Sequence, residues 1–174
     1  MLVSARIILL YLILWLSACS QSMPETPFCR HSVDHESSAN DDSSLSNKLP
    51  SACLVRDGRY LLVVEHRLSG RYDLPAGQAS NEEFAACTAH RETFEETGLN
   101  VEVVQFVGQS STGLQLFHCK QQAGFSAPEF APPAPFWQTH EIADVLWIDP
   151  FEISEQDWRF PEQLVEVRAA FADQ

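Results

Sequence analysis

Residues 74–99 read LPAGQASNEEFAACTAHRETFEETGL. It begins with a proline and a glycine, continues as an amphipathic segment, and ends in a group of acids before Gly98. Glu92, Glu95 and Glu96 stand at i, i+3 and i+4, so a helix gathers all three carboxylates on one face. Like charges at that spacing repel by a few tenths of a kcal/mol per pair. They also crowd the last helical turn, where the macrodipole is already negative and basic side chains would help. A local rule broken this plainly marks a functional site, and a divalent cation would resolve the conflict.

The rest of the stretch obeys helix rules. Ser80 and Glu83 form an S-x-x-E capping box, which places the helix start there. Gly98 suits the left-handed residue that ends a helix. Phe84, Ala85, Ala86, Thr88, Ala89 and Phe94 are expected to supply the packing face. His90 is expected on the exposed side.

Working outward, 51–56 and 60–65 are β-rich runs joined by Asp57-Gly58, a strong hairpin signal. Val101 to Val107 and Leu114 to Cys119 read as two more strands around the turn 110–113, and Val145 to Ile148 as another. Residues 121–139 form a long loop rich in Ala, Pro and Phe, and loops of that length are often functional. Pro161 at a first-turn position starts a final helix to about Phe171, with Leu164, Arg168 and Phe171 along one side. Strands, a central helix, more strands and a terminal helix make an α/β arrangement of mixed strand order.

The chain has 174 residues, enough for one buried core, and a formal charge of −13 from 24 acids and 11 bases. That balance argues against nonspecific nucleic-acid binding, which needs clustered Lys and Arg. It is compatible with a small anionic substrate, because bound cations invert the local field.

The amino terminus has Arg6 followed by an apolar run from Ile7 to Leu16. Ten residues are too short for a spanning helix, which needs roughly 20, and suit the core of a secretory signal peptide. Leu16-Ser17-Ala18-Cys19 resembles the lipobox of bacterial lipoproteins. That resemblance implies signal-peptide residues 1–18, lipid on Cys19, and a domain held at the periplasmic face, on the outer membrane if the source is a diderm bacterium. The lipid would be the sole contact with the membrane. Residues 19–49 are polar and aperiodic and read as a disordered tether. Within it His31 and His35 lie four apart, metal-binding in a helix and solvated otherwise.

Cys29, Cys53, Cys87 and Cys119 remain in the exported part. An oxidising compartment permits disulfides, and four cysteines allow three pairings among which the sequence does not choose. Without a CxxC unit a structural zinc site is not expected, and a small buried apolar cysteine is the default.

Gly77, Glu83, Arg91, Glu92, Glu95, Glu96, Gly98 and Leu99 fill the fixed positions of a pattern that resembles the Nudix box, with Thr93 where an aliphatic residue is usual. The resemblance implies a Nudix α/β/α sandwich over residues 50–174, a mixed β-sheet with flanking helices. It implies hydrolysis of a diphosphate linkage with Mg²⁺ (or Mn²⁺). Carried over by position, metal ligands would be Glu92, Glu95, Glu96 and the Gly77 carbonyl. Glu83 would add charge or an outer-sphere contact, and Arg91 would orient the glutamates. The proton of the attacking water would go to Glu92 or to a loop acid such as Glu129 or Glu141, both of which also read as solvated surface. Candidates for substrate contacts are Arg71, Trp137 and Glu141, with His66, Arg67, Phe125 and Phe136 near them.

A nucleoside diphosphate-X or envelope-related diphosphate is the substrate class this location suggests. The alternative is a non-catalytic Nudix-fold binding module, against which the intact glutamates count. Nothing in the sequence fixes an oligomeric interface.

Overall fold

The computed structural model describes residues 23–32, 49–121 and 132–174. Its strands are β1 (Ser51–Asp57), β2 (Tyr60–His66), β3 (Tyr72–Asp73), β4 (Ala76–Gly77), β5 (Val101–Gln109), β6 (Gln115–Gln121) and β7 (Ile142–Ile148). Helix α1 is Ala85–Thr97 and helix α2 is Leu164–Ala172. Among the described residues no helix is long and apolar enough to cross a membrane. Cys19 and the signal segment lie outside the described residues, as do His35, Phe125 and Glu129.

The sheet is mixed. β1 and β6 run parallel, with Ser51 opposite Gln115, and every other strand pair is antiparallel. The β1–β2 hairpin forms where Asp57-Gly58 predicts it, yet β1 and β2 pair only at Arg56–Leu61 and Asp57–Tyr60. Beyond that point β2 turns to β3 and β7, while the start of β1 takes β4. The short strands β3 and β4 therefore bring residues 72–77 to the parting of the hairpin. Neither strand has a sequence signal, because two residues show no period.

Alternation along the strands makes two cores. Cys53, Val55, Leu62, Val64 and Phe117 pack against Ala85 and Ala89 of α1. Ala52, Leu54, Leu61 and Val63 face the other way, onto Leu164, Val167, Phe171 and Trp158. A period of two along buried strands lets one hairpin serve both layers. The result is the expected sheet with helices on both faces.

Several local expectations change. Helix α1 starts at Ala85, five residues after Ser80, with Phe84 extended before it and no side-chain cap. Glu82 sits at φ 60°, a left-handed conformation that interrupts a helix there. Phe84 is 72% exposed and packs no core. His90 is buried rather than exposed, its Nε2 3.0 Å from Asn100 Oδ1. At the far end Gly98 (φ 73°) closes the helix as expected. Pro161–Gln163 is a 3₁₀ turn, and α2 follows it. Arg168 binds the Pro150 and Ile153 carbonyls, so Val167 takes its place on the packed side.

All four cysteines of the described residues are paired, as Cys29–Cys87 and Cys53–Cys119, which corrects the default reading. The second pair ties β1 to β6 inside the α1-side core. The first ties residues 23–32 to α1. Within the expected tether, this segment instead lies on the domain: Ser32 N–H donates to the Val103 carbonyl (2.8 Å) and Val103 N–H to the Arg30 carbonyl (3.0 Å). Backbone pairing and a covalent link hold a polar segment that burial alone would not retain.

Candidate active site

The site is built where the last two turns of α1 meet β4. Gly77 packs so closely on Glu92 that a Cβ at this position would collide with the Glu92 carboxyl group. Glycine is required here for close approach. One residue earlier, the Ala76 N–H donates to Glu96 Oε2 at 3.0 Å. β4 therefore offers its backbone to both inner glutamates, and α1 offers their carboxylates in return.

Arg91 organises the outer side. Its Nε and Nη2 donate to Glu83 at 3.0 Å each, its Nη1 to Glu92 at 2.7 Å and to Glu95 Oε2 at 3.1 Å, and Nη2 also to the Gln78 carbonyl at 2.8 Å. Five donors in a rigid fork suit this multiple grip. Although burial opposes it, the bonds to Glu83 and the Glu92 charge hold the Arg91 pKa above its usual value. Glu83 also accepts from the Ser80 N–H (2.9 Å) and Thr88 Oγ1 (3.1 Å). Burial would raise its pKa, but these bonds, led by Arg91, lower it. The carboxylate that the sequence assigns to a helix cap is thus engaged by Arg91.

The inner side is different. Glu96 is 6% exposed. Burial pushes its pKa well above the usual carboxylate value, the Ala76 N–H opposes this, and the charges of Glu92, Asp73 and Glu141 add to it. Burial likewise raises Glu92, with Arg91 offsetting part of the effect. Two inner acids that resist ionisation, beside a glycine backbone, form an all-oxygen donor set of the kind that hard divalent cations take. The residues present fit Mg²⁺ or Mn²⁺.

Three residues complete this inner corner. Asp73 is buried and its pKa rises to about 7 through burial, against the Arg159 charge and the Leu74 N–H, which donates to Oδ1 at 2.8 Å. Arg159 Nη1 lies 2.8 Å from His66 Nε2 and 3.7 Å from Asp73 Oδ2. Burial and the Arg159 charge lower the His66 pKa, so a neutral imidazole accepts from the guanidinium. The sequence singles out His66 but gives no signal for Asp73 or Arg159. Asp73 is marked only by being an acid beside the Leu74-Pro75 step.

Of the other candidates, Glu141 is exposed, and its charge raises both Glu96 and His66, which places it toward the site. Trp137 Nε1 donates to the Glu95 carbonyl at 2.8 Å, and its ring packs near Phe94 (6.3 Å) and edge-on to Phe136 (4.9 Å). It caps the end of α1 beside the acids. Arg71 is exposed in the β2–β3 connection, where its main-chain N–H donates to Ser69 Oγ. Arg67 Nη2 donates to the Ile142 carbonyl. Thr93 is fully buried and its hydroxyl donates to the Ala89 carbonyl at 2.7 Å, so its departure from an aliphatic residue leaves no polar group unsatisfied.

Known proteins resemble this chain in sequence and fold. A family model described as NUDIX domain matches residues 48–170. Over 122 residues the chain is 32% identical to an NAD-capped RNA hydrolase NudC of Mannheimia succiniciproducens, covering 66% of this chain and 43% of that protein. Over 108 residues it is 29% identical to a MutT-like protein of Streptomyces ambofaciens, covering 59% and 64%. The chain therefore spans less than two thirds of the length of either relative. A solved ADP-ribose pyrophosphatase from Streptococcus suis shares the fold, with a TM-score of 0.57 at 16% identity over 74% of this chain and 91% of that one.

Proposed function

Since the chain belongs to the NUDIX domain family, we propose that it is a Nudix pyrophosphohydrolase acting on a small diphosphate substrate, a nucleoside diphosphate-X or an envelope-related diphosphate. The observation that carries this reading is the inner acid pair. Glu92 lies on the Gly77 backbone and Glu96 is buried on the Ala76 N–H, both reluctant to ionise without a cation.

In this reading Glu92, Glu95, Glu96 and the Gly77 carbonyl hold Mg²⁺ (or Mn²⁺), with Glu83 as an outer partner through Arg91. The bound cation would polarise a phosphoryl oxygen and lower the pKa of a bound water. This chain's residues do the rest. Arg91 fixes the spacing of Glu83, Glu92 and Glu95. A site carboxylate, Glu92 or Glu141, takes the proton as water oxygen bonds to phosphorus and the bridging P–O bond breaks. The departing group leaves as a phosphate monoester. Trp137, beside the acids, offers a face to a base or apolar moiety, and Arg71 a charge to phosphate oxygens.

The test is to incubate the full chain with Mg²⁺ and a panel of nucleoside diphosphate-X and lipid-linked diphosphates, and to measure release of monophosphate products. Turnover that disappears in Glu96→Gln, with folding intact, is expected. A correctly folded wild type that turns over nothing in the panel, or a fully active Glu96→Gln, would overturn the reading.

We further propose that the enzyme is lipid-anchored outside the cytoplasm through Cys19, on the strength of the lipobox resemblance. Labelling with a palmitate analogue should tag the wild type and spare Cys19→Ser. Equal labelling of both would defeat it.

A further inference from the structure

The Cys29–Cys87 link differs from its counterpart in its surroundings. Cys53 and Cys119 are 0% and 4% exposed and sealed in the core. Cys29 and Cys87 are only half-buried, and His31 beside them is exposed. The two sulfurs and a His31 ring nitrogen all lie within 4.8 Å of one another. Three soft or borderline donors therefore meet at one point, contributed by two separate elements: residues 29–31 and the first turn of α1.

We propose that Cys29, Cys87 and His31 form a thiolate-rich metal site, distinct from the glutamate cluster, that takes a Zn²⁺-type cation when the disulfide is reduced. The dimensions suit this. Tetrahedral zinc with Zn–S of about 2.3 Å and Zn–N of about 2.1 Å needs its donors roughly 3.5–3.8 Å apart. Starting from a disulfide, the two sulfurs need to part by less than about 2 Å. The Cα atoms of the pair are 5.4 Å apart. His31 is presented by a backbone held at both neighbours, through the Arg30 carbonyl and the Ser32 N–H on Val103. The donor set is pre-arranged, and an ion with three protein ligands keeps its fourth position for solvent.

The chemistry balances. A dithiol reductant gives two electrons and two protons to the sulfur–sulfur bond and leaves as its own disulfide. Each new thiol loses a proton as it ligates, so uptake of one Zn²⁺ releases two protons. The segment 23–32 would then stay clipped to α1 in either redox state, by a covalent bond or by a metal. The two cysteines that would join His31 lie 58 residues apart in sequence.

Cobalt(II) is the direct probe, because thiolate ligation gives a thiolate-to-cobalt charge-transfer band that carboxylates cannot produce. The full chain in mild detergent, carrying Cys19→Ser in every sample and excess Mg²⁺, is titrated anaerobically after mild dithiol treatment. The reduced chain should show the band, zinc should bleach it stoichiometrically, and the oxidised chain should show none. Cys29→Ser should abolish it. His31→Ala should weaken cobalt affinity by about tenfold or more, since even an outer-sphere partner is worth 10–100-fold. Far-UV circular dichroism confirms that both variants remain folded, as expected for half-buried and exposed positions. No band in the reduced chain, or a band unchanged in either variant, would overturn the site. None of these readouts depends on hydrolysis, so they are independent of the function proposed above.

Discussion

Glu83 and Glu96 belong to the same acidic stretch and have opposite fates. Glu83 accepts from Arg91, Thr88 and the Ser80 N–H, and gives up its proton more readily than a free glutamate. Glu96 receives the Ala76 N–H, lies beyond the reach of the Arg91 fork, and faces the charges of Glu92, Asp73 and Glu141. Arg91 compensates Glu83 and part of Glu92, whereas Glu96 has only the Ala76 N–H. This difference supports the proposal that a cation sits on the Glu96 side, where a buried carboxylate ionises only with an opposite charge beside it.

Glu96 should be the most sensitive position. Glu96→Gln should lower kcat by two to three orders of magnitude, the several kcal/mol that metal stabilisation of the transition state supplies. The thermal midpoint of the metal-free variant should match or exceed wild type, because a reluctant charge has been removed. A retained kcat would show that the inner acids are not the site. Gly77→Ala comes next. Its methyl group meets the Glu92 carboxyl, so activity should fall by about 10- to 100-fold, and the cost to stability should stay near 1–3 kcal/mol in urea unfolding.

Arg91→Lys keeps the charge and loses the fork. It should cost about 1–2 kcal/mol, because charge-assisted hydrogen bonds to three carboxylates are reduced to a point charge. An unchanged midpoint would show that geometry at Arg91 contributes nothing beyond its charge.

The pH dependence tests the inner corner by itself. Asp73 has a folded pKa of about 7 against 3.8 for an unperturbed aspartate. The folded state thus binds this proton more tightly than the unfolded chain. The contribution is complete below pH 4 and is lost as pH rises through 7. Glu96 acts in the same direction, whereas His66 and His90, with lowered pKa values, contribute stability that is present above the unfolded histidine pKa and lost as pH falls through their lower folded values. Asp73→Asn isolates one group from this mixture. In metal-free protein, the wild-type midpoint should fall relative to Asp73→Asn between pH 4 and 7.5. Parallel curves would refute a strained Asp73. The smallest effect belongs to the outer side, where Glu83→Gln should change kcat by only several-fold. A loss equal to that of Glu96→Gln would erase the distinction between the two sides.

Much of this was legible in sequence because it is local. The i, i+3, i+4 acids, the Gly98 terminator and the Asp57-Gly58 hairpin each act within a few residues. Ser80 misleads as a cap because the Glu83 carboxylate does reach the Ser80 N–H, yet Glu82 at φ 60° and an extended Phe84 delay the helix to Ala85. The inner corner is illegible for a different reason. Arg159 meets His66 across 93 residues, and no period or spacing announces such a pair. The Cys53–Cys119 pair and the parallel β1–β6 ladder are also long-range, fixed by which faces the strands bury, and Cys29–Cys87 links a polar segment to α1 across 58 residues with no local pattern to announce it.

The short segment on Val103 has one more consequence. β5 ends the sheet's strand order, and a terminal strand presents unpaired N–H and C=O groups to which another chain can add. Arg30 and Ser32 occupy both main-chain groups of Val103, and the bond from Cys29 to Cys87 keeps them there. A stretch that carries no part of the active site thereby denies the Val103 position of this edge to an incoming strand.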